Sequence, residues 1–402
     1  MNVTVVGLGK LGAPLAALLA TAGHTVRGMD LSQKPVDAIN ERRAPVEEPQ
    51  LQELIDALPE GRLTATTDYE AAMDGSDISL IIVPTPSDEN GCFSNEYVLD
   101  AIRGIGPHIN ANWHTVVICS TVMPGSTGGP ILRELERASK RIVGRSVGLC
   151  YSPEFIALGS VLNDMLNPDV VLVGAEDSFS ASHLEDLVDS YLYPRRRGSD
   201  YQVPYRRLSF TEAELAKISV NTYITMKISY ANTIGMMADA LGVDAGKVLD
   251  AVGADSRIGT KYLKPGASYG GPCFPRDTVA FASLGVSLGV QTPLAQATDD
   301  VNEQVISQIM LKLVGHQQVA ILGMAYKPGT PVTEESMGRK LLKALRDDSV
   351  VVTTHDVVAR GEYADAERCM RGASAVVIAT PYEEYAKLDY GNRLVIDPWG
   401  LR

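Results

Sequence analysis

Apolar residues cluster at 3–6, 25–30, 78–83, 116–120, 147–151 and 170–174 in short, nearly unbroken runs rich in β-branched side chains. Such runs predict strands covered on both faces, as in a parallel sheet. Helical periodicity fills the gaps at 11–22, 51–58, 95–109, 127–139 and 179–192. Strand–helix alternation over this length predicts a doubly wound sheet. The texture changes at 193–209, a polar stretch with Arg195, Arg196, Arg197, Arg206 and Arg207 that reads as a solvated connector. A proline-free helical pattern follows at 211–241, with Thr211 and Glu214 at capping-box spacing and Gly242 as its stop. A helix of about 30 residues spans about 45 Å, which suits a rod joining domains or building a dimer core. Further helices are expected at 244–252 and 278–284, around a Gly/Pro-rich loop at 255–277. Alternation then resumes, with strands at 319–322, 350–354, 374–379 and 394–396 and helices at 300–314 and 337–347.

Composition narrows the classes. The 402 residues allow two or three domains with buried cores, and 45% hydrophobic with 21% charged residues is globular composition. The 36 Lys and Arg against 49 Asp and Glu give a net charge of −13, which argues against binding nucleic-acid backbones. An anionic ligand must then be held by local donors. Five cysteines, an odd number in a long chain, do not form a disulfide framework and suit a reducing cytoplasm. The sequence opens without the pattern of a signal peptide, and its longest apolar run, 15–20, is too short to span a bilayer, so no membrane association is expected.

The first strand runs into Gly7-Leu8-Gly9-Lys10-Leu11-Gly12, a G-x-G-x-x-G turn that opens a helix. Gly7 permits the tight turn, Gly9 lets the backbone approach a pyrophosphate, and Gly12 lets helix and strand pack closely. Asp30 ends the second strand at the distance where a carboxylate binds the adenosine ribose and repels a 2′-phosphate, which favours NAD over NADP. The fold expected is α/β: two Rossmann-like doubly wound parallel-sheet domains joined by a long central helix and a small helical dimerisation domain. The divisions fall at 1–195, 208–300 and 301–402.

A second chemical centre lies at 255–277. Tyr269-Gly270-Gly271-Pro272-Cys273-Phe274-Pro275-Arg276-Asp277 places glycines before a cysteine with a cation nearby, and a neighbouring cation favours the nucleophilic thiolate. Cys92, Cys119, Cys150 and Cys369 read as small buried hydrophobes. Lys217 and Asn221 lie four apart on the long helix, hence on one face. Glu154, in Ser152-Pro153-Glu154-Phe155, stands just past the carboxyl end of a strand, where doubly wound sheets bind ligands.

Taken in order, these pieces resemble the UDP-glucose/GDP-mannose dehydrogenases along the whole chain. The matching stretches include the glycine turn, Val83-Pro84-Thr85-Pro86, Ser120-Thr121-Val122 with Pro124-Gly125, and Ser152–Phe155. Later come Glu214-Leu215-Ala216-Lys217 with Asn221, Ser256-Arg257-Ile258-Gly259, Tyr269–Asp277 and Gly323-Met324-Ala325-Tyr326-Lys327-Pro328. The resemblance implies NAD-dependent, four-electron oxidation of the C6 alcohol of a nucleotide-linked hexose, with UDP-glucose to UDP-glucuronate as the leading reaction. It implies that Cys273 adds to the C6 aldehyde as a nucleophile. Lys217 and Asn221 would stabilise oxyanions, Asp277 and Glu154 would handle water and protons, and Thr121 would sit near the nicotinamide and the reacting water. It assigns NAD to Gly7, Gly9, Lys10, Leu11, Gly12, Asp30, Thr85 and Thr121. It assigns the substrate to Phe155, Ile156, Lys217, Asn221, Arg257, Tyr262, Gly270 and Lys327. No metal is implied, and a homodimer through the central helix is.

Three positions depart from the family pattern. Leu158 stands where users of UDP-glucose carry a second glutamate, Glu334 replaces an arginine of the last domain, and Arg276 replaces a common lysine. The first two keep alternatives open: a GDP-mannose or UDP-N-acetylhexosamine 6-dehydrogenase, or a nucleotide-sugar-binding protein with weakened catalysis. A two-electron hydroxyacid dehydrogenase would leave Cys273 and the last domain without a purpose.

Overall fold

The computed structural model describes residues 1–110, 112–192 and 203–402, so Arg195, Arg196 and Arg197 of the expected connector lie outside the described residues. The chain divides into two compact units, Met1–Lys217 and Ile218–Arg402.

The first unit carries β1 (Asn2–Val6), β2 (Thr25–Met29), β3 (Leu63–Thr66), β4 (Ile78–Ile81), β5 (Thr115–Ile118), β6 (Gly148–Tyr151), β7 (Val171–Ala175) and β8 (Tyr205–Leu208). They form one sheet in the order β3-β2-β1-β4-β5-β6-β7-β8. Every pairing is parallel except β6 with β7. The apolar runs have the expected cause: Val117 packs in one cluster with Leu15 and Leu19, while Val116 and Ile118 pack in another with Ile81 and Ile102. Strands fed from both faces cannot alternate apolar with polar residues.

The two edge strands, β3 and β8, correct the sequence reading. Edge strands bury little and need no apolar run. β8 lies within the stretch expected to be a connector, and its Arg207 is paired with Glu185 at 2.5 Å.

A buried polar network crosses the sheet at His114, which is fully buried. The Ser76 carbonyl lies 2.9 Å from Nδ1 and can only accept, so Nδ1 carries the proton and Nε2 accepts from the Ser79 hydroxyl at 2.6 Å. Burial holds this imidazole down to about 4, with His183, Asp77 and Arg141 as the charged or titratable groups around it. The unfolded chain takes up a proton near pH 6.5 and the folded chain only near 4. Stability is therefore complete above the upper value and falls with pH through that window, by up to about 3 kcal/mol. Urea unfolding at neutral pH and at the acid end of the window should show the loss, and His114→Gln should shrink it.

The long helix runs Phe210–Leu241, and the division between the units falls inside it. Its capping box is Ser209 with Glu212, whose carboxylate accepts from Ser209 N at 2.8 Å and Ser209 Oγ at 2.7 Å. This corrects the Thr211–Glu214 assignment, because the helix starts one residue sooner and turns Glu214 inward. Glu214 is fully buried and accepts from Gly125 N at 2.6 Å and Thr127 N at 2.7 Å.

The second unit contains β9 (Gln318–Leu322), β10 (Val351–His355), β11 (Ala375–Ile378) and β12 (Leu394–Ile396), all parallel in the order β10-β9-β11-β12. Two helices here begin earlier than their periodicity suggests, at Phe274–Leu288 and Pro293–Lys312. Each has a proline in its first turn, where the missing N–H would be unpaired anyway. A proline that reads as a breaker in sequence is here a starter, and the expected loop ends at Cys273 instead of Asp277.

Candidate active site

In the first unit the glycine turn joins β1 to the helix Gly12–Thr21, beside the point where β2 and β4 flank β1. A Cβ on Gly12 would meet Gly7 O at 1.8 Å, whereas no atom lies within 4 Å of a Cβ on Gly9. Gly12 is thus required by the protein's own packing, and Gly9 leaves a cradle that the protein does not fill. The helix start has no side-chain cap and no acid in its first turn, so its N–H groups stay available to phosphate. Asp30 is held at the end of β2 by Leu8 N and Ser32 N, both at 2.8 Å.

The loops after β4 and β5 are cross-tied. Ser120 Oγ donates to Val83 O at 2.7 Å and accepts from Val83 N at 2.9 Å, and Thr85 Oγ1 donates to Thr121 O at 2.8 Å. Thr85 and Thr121 are therefore neighbours. The buried Glu214 fixes the turn that follows Thr121.

Past β6, Glu154 lines a mostly apolar recess with Cys119, Leu187, Val188 and Tyr191. Burial pushes its carboxyl up to about 7, and the Lys217 ammonium pulls it part of the way back. Lys217 is itself buried; its Nζ donates to Glu154 O at 2.6 Å and lies 4.4 Å from the centre of the Phe155 ring. A carboxyl poised near neutrality beside a fixed cation can exchange a proton at working pH. Ile156 and Leu158 pack instead against the apolar core of this unit.

In the second unit, Asn221 Nδ2 donates to Asp277 Oδ2 at 2.6 Å, and both residues are buried. Asp277 Oδ1 has no hydrogen-bond partner, and Arg276 Nε lies 3.6 Å from it. Cys273 is exposed at the N-cap of the helix Phe274–Leu288. The positive end of that helix favours charge on sulfur. Burial raises the other thiols, Cys119 and Cys150 furthest, Cys369 to about 11 and Cys92 less. They are protonated and inert by comparison. Tyr262 stacks edge-on to Phe274 with ring centres 6.3 Å apart, and Lys327 stands 6.0 Å from the Tyr326 ring. Arg257 is turned to solvent and paired with Asp255 at 2.6 Å, so this chain alone does not gather it with Cys273.

Comparison with known proteins identifies the family. Family profiles of the UDP-glucose/GDP-mannose dehydrogenase family match the chain as its NAD binding domain at 1–191, its central domain at 211–304 and its UDP binding domain at 320–400. The chain belongs to the UDP-glucose/GDP-mannose dehydrogenase family. It is 33% identical to the UDP-glucose 6-dehydrogenase AglM of Haloferax volcanii, over 99% of this chain and 96% of that one. It is also 33% identical to a GDP-mannose 6-dehydrogenase of Pseudomonas putida, over 84% of this chain and 76% of that one. The solved structure of a UDP-glucose dehydrogenase from Pyrobaculum islandicum superposes with a TM-score of 0.90 at 34% identity, covering 99% of this chain and 94% of that chain.

The cofactor of this dehydrogenase is NAD, and the cradle at Gly9, the uncapped helix start and the fixed Asp30 fit it. A paired prediction follows. Gly12→Ala should cost about 1–3 kcal/mol of stability through the clash with Gly7 O. Gly9→Ala should leave the melting temperature unchanged yet weaken NAD binding, as read by titration of intrinsic fluorescence. No helix among the described residues is long and apolar enough to cross a membrane.

Sequence reasoning quoted Ser120 only as part of a matching stretch, and it passed over Glu48 in the first unit and Asp299 and Asn302 in the second. Glu48 accepts from Gly159 N at 3.1 Å and Val161 N at 2.7 Å, fixing the loop after Glu154. Its only signal in sequence was a carboxylate next to a proline, which surface loops also show. Asn302 left a better one, an amide inside a helix where asparagine is a poor helix former.

Proposed function

We propose that the chain oxidises the C6 alcohol of UDP-glucose to the carboxylate of UDP-glucuronate through a covalent adduct on Cys273. The observation that carries this reading is the exposed Cys273 at a helix N-terminus, four residues from the buried Asn221–Asp277 pair, in a chain whose other thiols are all raised by burial. NAD, when bound, supplies the hydride acceptor. The rest is done by the chain. Loss of a hydride and a proton from the alcohol leaves an aldehyde, a poor donor of a second hydride. The Cys273 thiolate adds to that carbon, forming the C–S bond of a thiohemiacetal whose oxygen takes up a proton. Loss of that proton and the second hydride gives a thioester. Water adds, the C–S bond breaks, and the thiolate returns as the acid leaves.

In the second unit Asn221 donates to the oxyanion and holds Asp277, whose free Oδ1 is placed to accept from water. In the first unit Lys217 supplies positive charge, and Glu154 takes the proton of the hydrolytic water. Phe155, Ile156, Tyr262, Gly270 and Lys327 are assigned to substrate, and Arg257, exposed in this chain, to the substrate of a second copy.

A homodimer through the long helix fits its surface. Tyr223, Tyr230 and Met237 repeat every seven residues and are 57%, 51% and 59% exposed, with Val220 and Leu241 beside them. A heptad apolar seam on a helix is the pattern of a helix–helix interface. Light scattering should return the mass of a dimer.

NADH counted per sugar over a panel of UDP-, GDP- and dTDP-hexoses tests the reaction. A ratio near two with UDP-glucose supports it, and a ratio near one rules out the thioester route. Leu158, apolar and packed on the core, favours a second reading on the same chemistry, with GDP-mannose or a UDP-N-acetylhexosamine as the better substrate in that panel.

A further inference from the structure

We infer that Asn302 and Asp299, on the helix Pro293–Lys312, are positioning residues that set the place of Cys273 by gripping Tyr269. The inference rests on the reading of Cys273 as the nucleophile.

Asn302 is 3% exposed, and its amide spans the whole main chain of one loop residue: Oδ1 accepts from Tyr269 N at 2.7 Å and Nδ2 donates to Tyr269 O at 3.1 Å. A single side chain thus satisfies both polar groups of a buried residue, as a neighbouring strand would. One turn earlier, Asp299 accepts the Tyr269 hydroxyl, so the side chain is held at its tip as well. Tyr269 is 5% exposed and is tied down both at its main chain and at its hydroxyl.

Only Gly270, Gly271 and Pro272 separate that anchor from Cys273. Gly271 N donates to Glu334 O at 2.9 Å. A Cβ on Gly270 would lie 2.2 Å from Glu335 O, and one on Gly271 would lie 2.7 Å from the Tyr326 ring. Pro272 has its own φ fixed by its ring. With so little slack, a shift at Tyr269 is passed on to the sulfur. An amide as buried as that of Asn302 inside a helix needs such a purpose, because leaving it unpaired there is costly.

A second clip serves as a control. Asn232, on the long helix, accepts from Gly266 N at 2.8 Å and donates to Ala267 O at 3.1 Å. It grips the same loop in the same way, but further from Cys273.

The test uses the full chain with saturating NAD. The readouts are the melting temperature, the pH dependence of Cys273 alkylation by iodoacetamide followed by peptide mass, and acid formation. Asn302→Ala should slow alkylation about tenfold and acid formation about a hundredfold, with KM changed less than threefold, the scale expected for a misplacement of about 1 Å. Asn232→Ala should lower the melting temperature by a similar amount and leave alkylation within twofold. Asp299→Ala and Tyr269→Phe should each slow acid formation, the double variant no further than either single, and Asp299→Asn should restore it because the amide oxygen still accepts. Equal effects of Asn232→Ala and Asn302→Ala on all readouts would overturn the inference in favour of a purely structural clip. If Asn302→Ala does not fold, the Tyr269/Asp299 cycle decides, and additive losses refute the grip. Failure of the nucleophile reading is seen separately, as normal acid formation by Cys273→Ser.

Discussion

Cys273→Ser is expected to abolish steady acid formation, lowering it by at least about a thousandfold, while the first oxidation of the alcohol survives. The sulfur does two jobs that oxygen does poorly. As a thiolate it adds to an aldehyde near neutral pH, and as a leaving group it departs readily from an acyl carbon. The serine hydroxyl is hardly ionised under the same conditions, even at a helix N-terminus, and an ester formed from it hydrolyses slowly. The variant should therefore release little NADH and accumulate an aldehyde or an ester adduct, visible as added mass on the peptide that carries residue 273. No other thiol can substitute, since Cys119, Cys150 and Cys369 are buried and Cys92 is raised by burial and by Asp88. Wild-type rates of acid formation in this variant would refute the nucleophile.

The second large effect concerns Glu154. Its carboxyl is held at about 7, chiefly by burial. If the carboxylate form takes the proton of the hydrolytic water, acid formation climbs as pH rises through that value and levels off above it. Glu154→Gln should remove this limb and slow the reaction by about 10²- to 10⁴-fold, the range of a general base. Lys217→Met separates the two roles. The ammonium favours the carboxylate, so its removal leaves burial unopposed and moves the limb to higher pH, besides the loss of oxyanion stabilisation. A pH profile of Glu154→Gln that keeps the limb would assign the titration to another group and remove Glu154 from the chemistry.

The departure at Leu158 is a difference in packing. A second glutamate there would have supplied another carboxylate near Glu154; the leucine joins the apolar core of the first unit instead. Glu334 acts at least through its main chain, which accepts from Gly271, so that contact would persist whatever side chain stood there.

Much of this protein was legible from its sequence. Most of the order of strands and helices and the glycine turn with Asp30 follow from short-range patterns, whereas the roles expected of Cys273, Lys217, Asn221, Asp277 and Glu154 came from the family resemblance. Apolar periodicity reports which face of an element is buried, and glycine spacing reports where backbone must approach backbone or ligand. Edge strands β3 and β8 escaped because they bury too little to leave a run of apolar residues.

What only the tertiary structure decided are the contacts between residues far apart in the chain. Glu214 reads as a capping residue three positions after Thr211, yet it binds the turn at Gly125, 89 residues away. Glu154 reads as a carboxylate just past a strand end, and only its apolar surroundings and Lys217, 63 residues on, set its titration near neutrality. Asn302 reaches Tyr269 across 33 residues; an asparagine inside a helix hints at a purpose, but nothing local names that partner. Local sequence therefore determined most of the elements and offered the candidate reactive groups. Their protonation and placement depended on burial and on long-range partners, because desolvation and hydrogen-bond geometry belong to the folded environment, not to a stretch of chain.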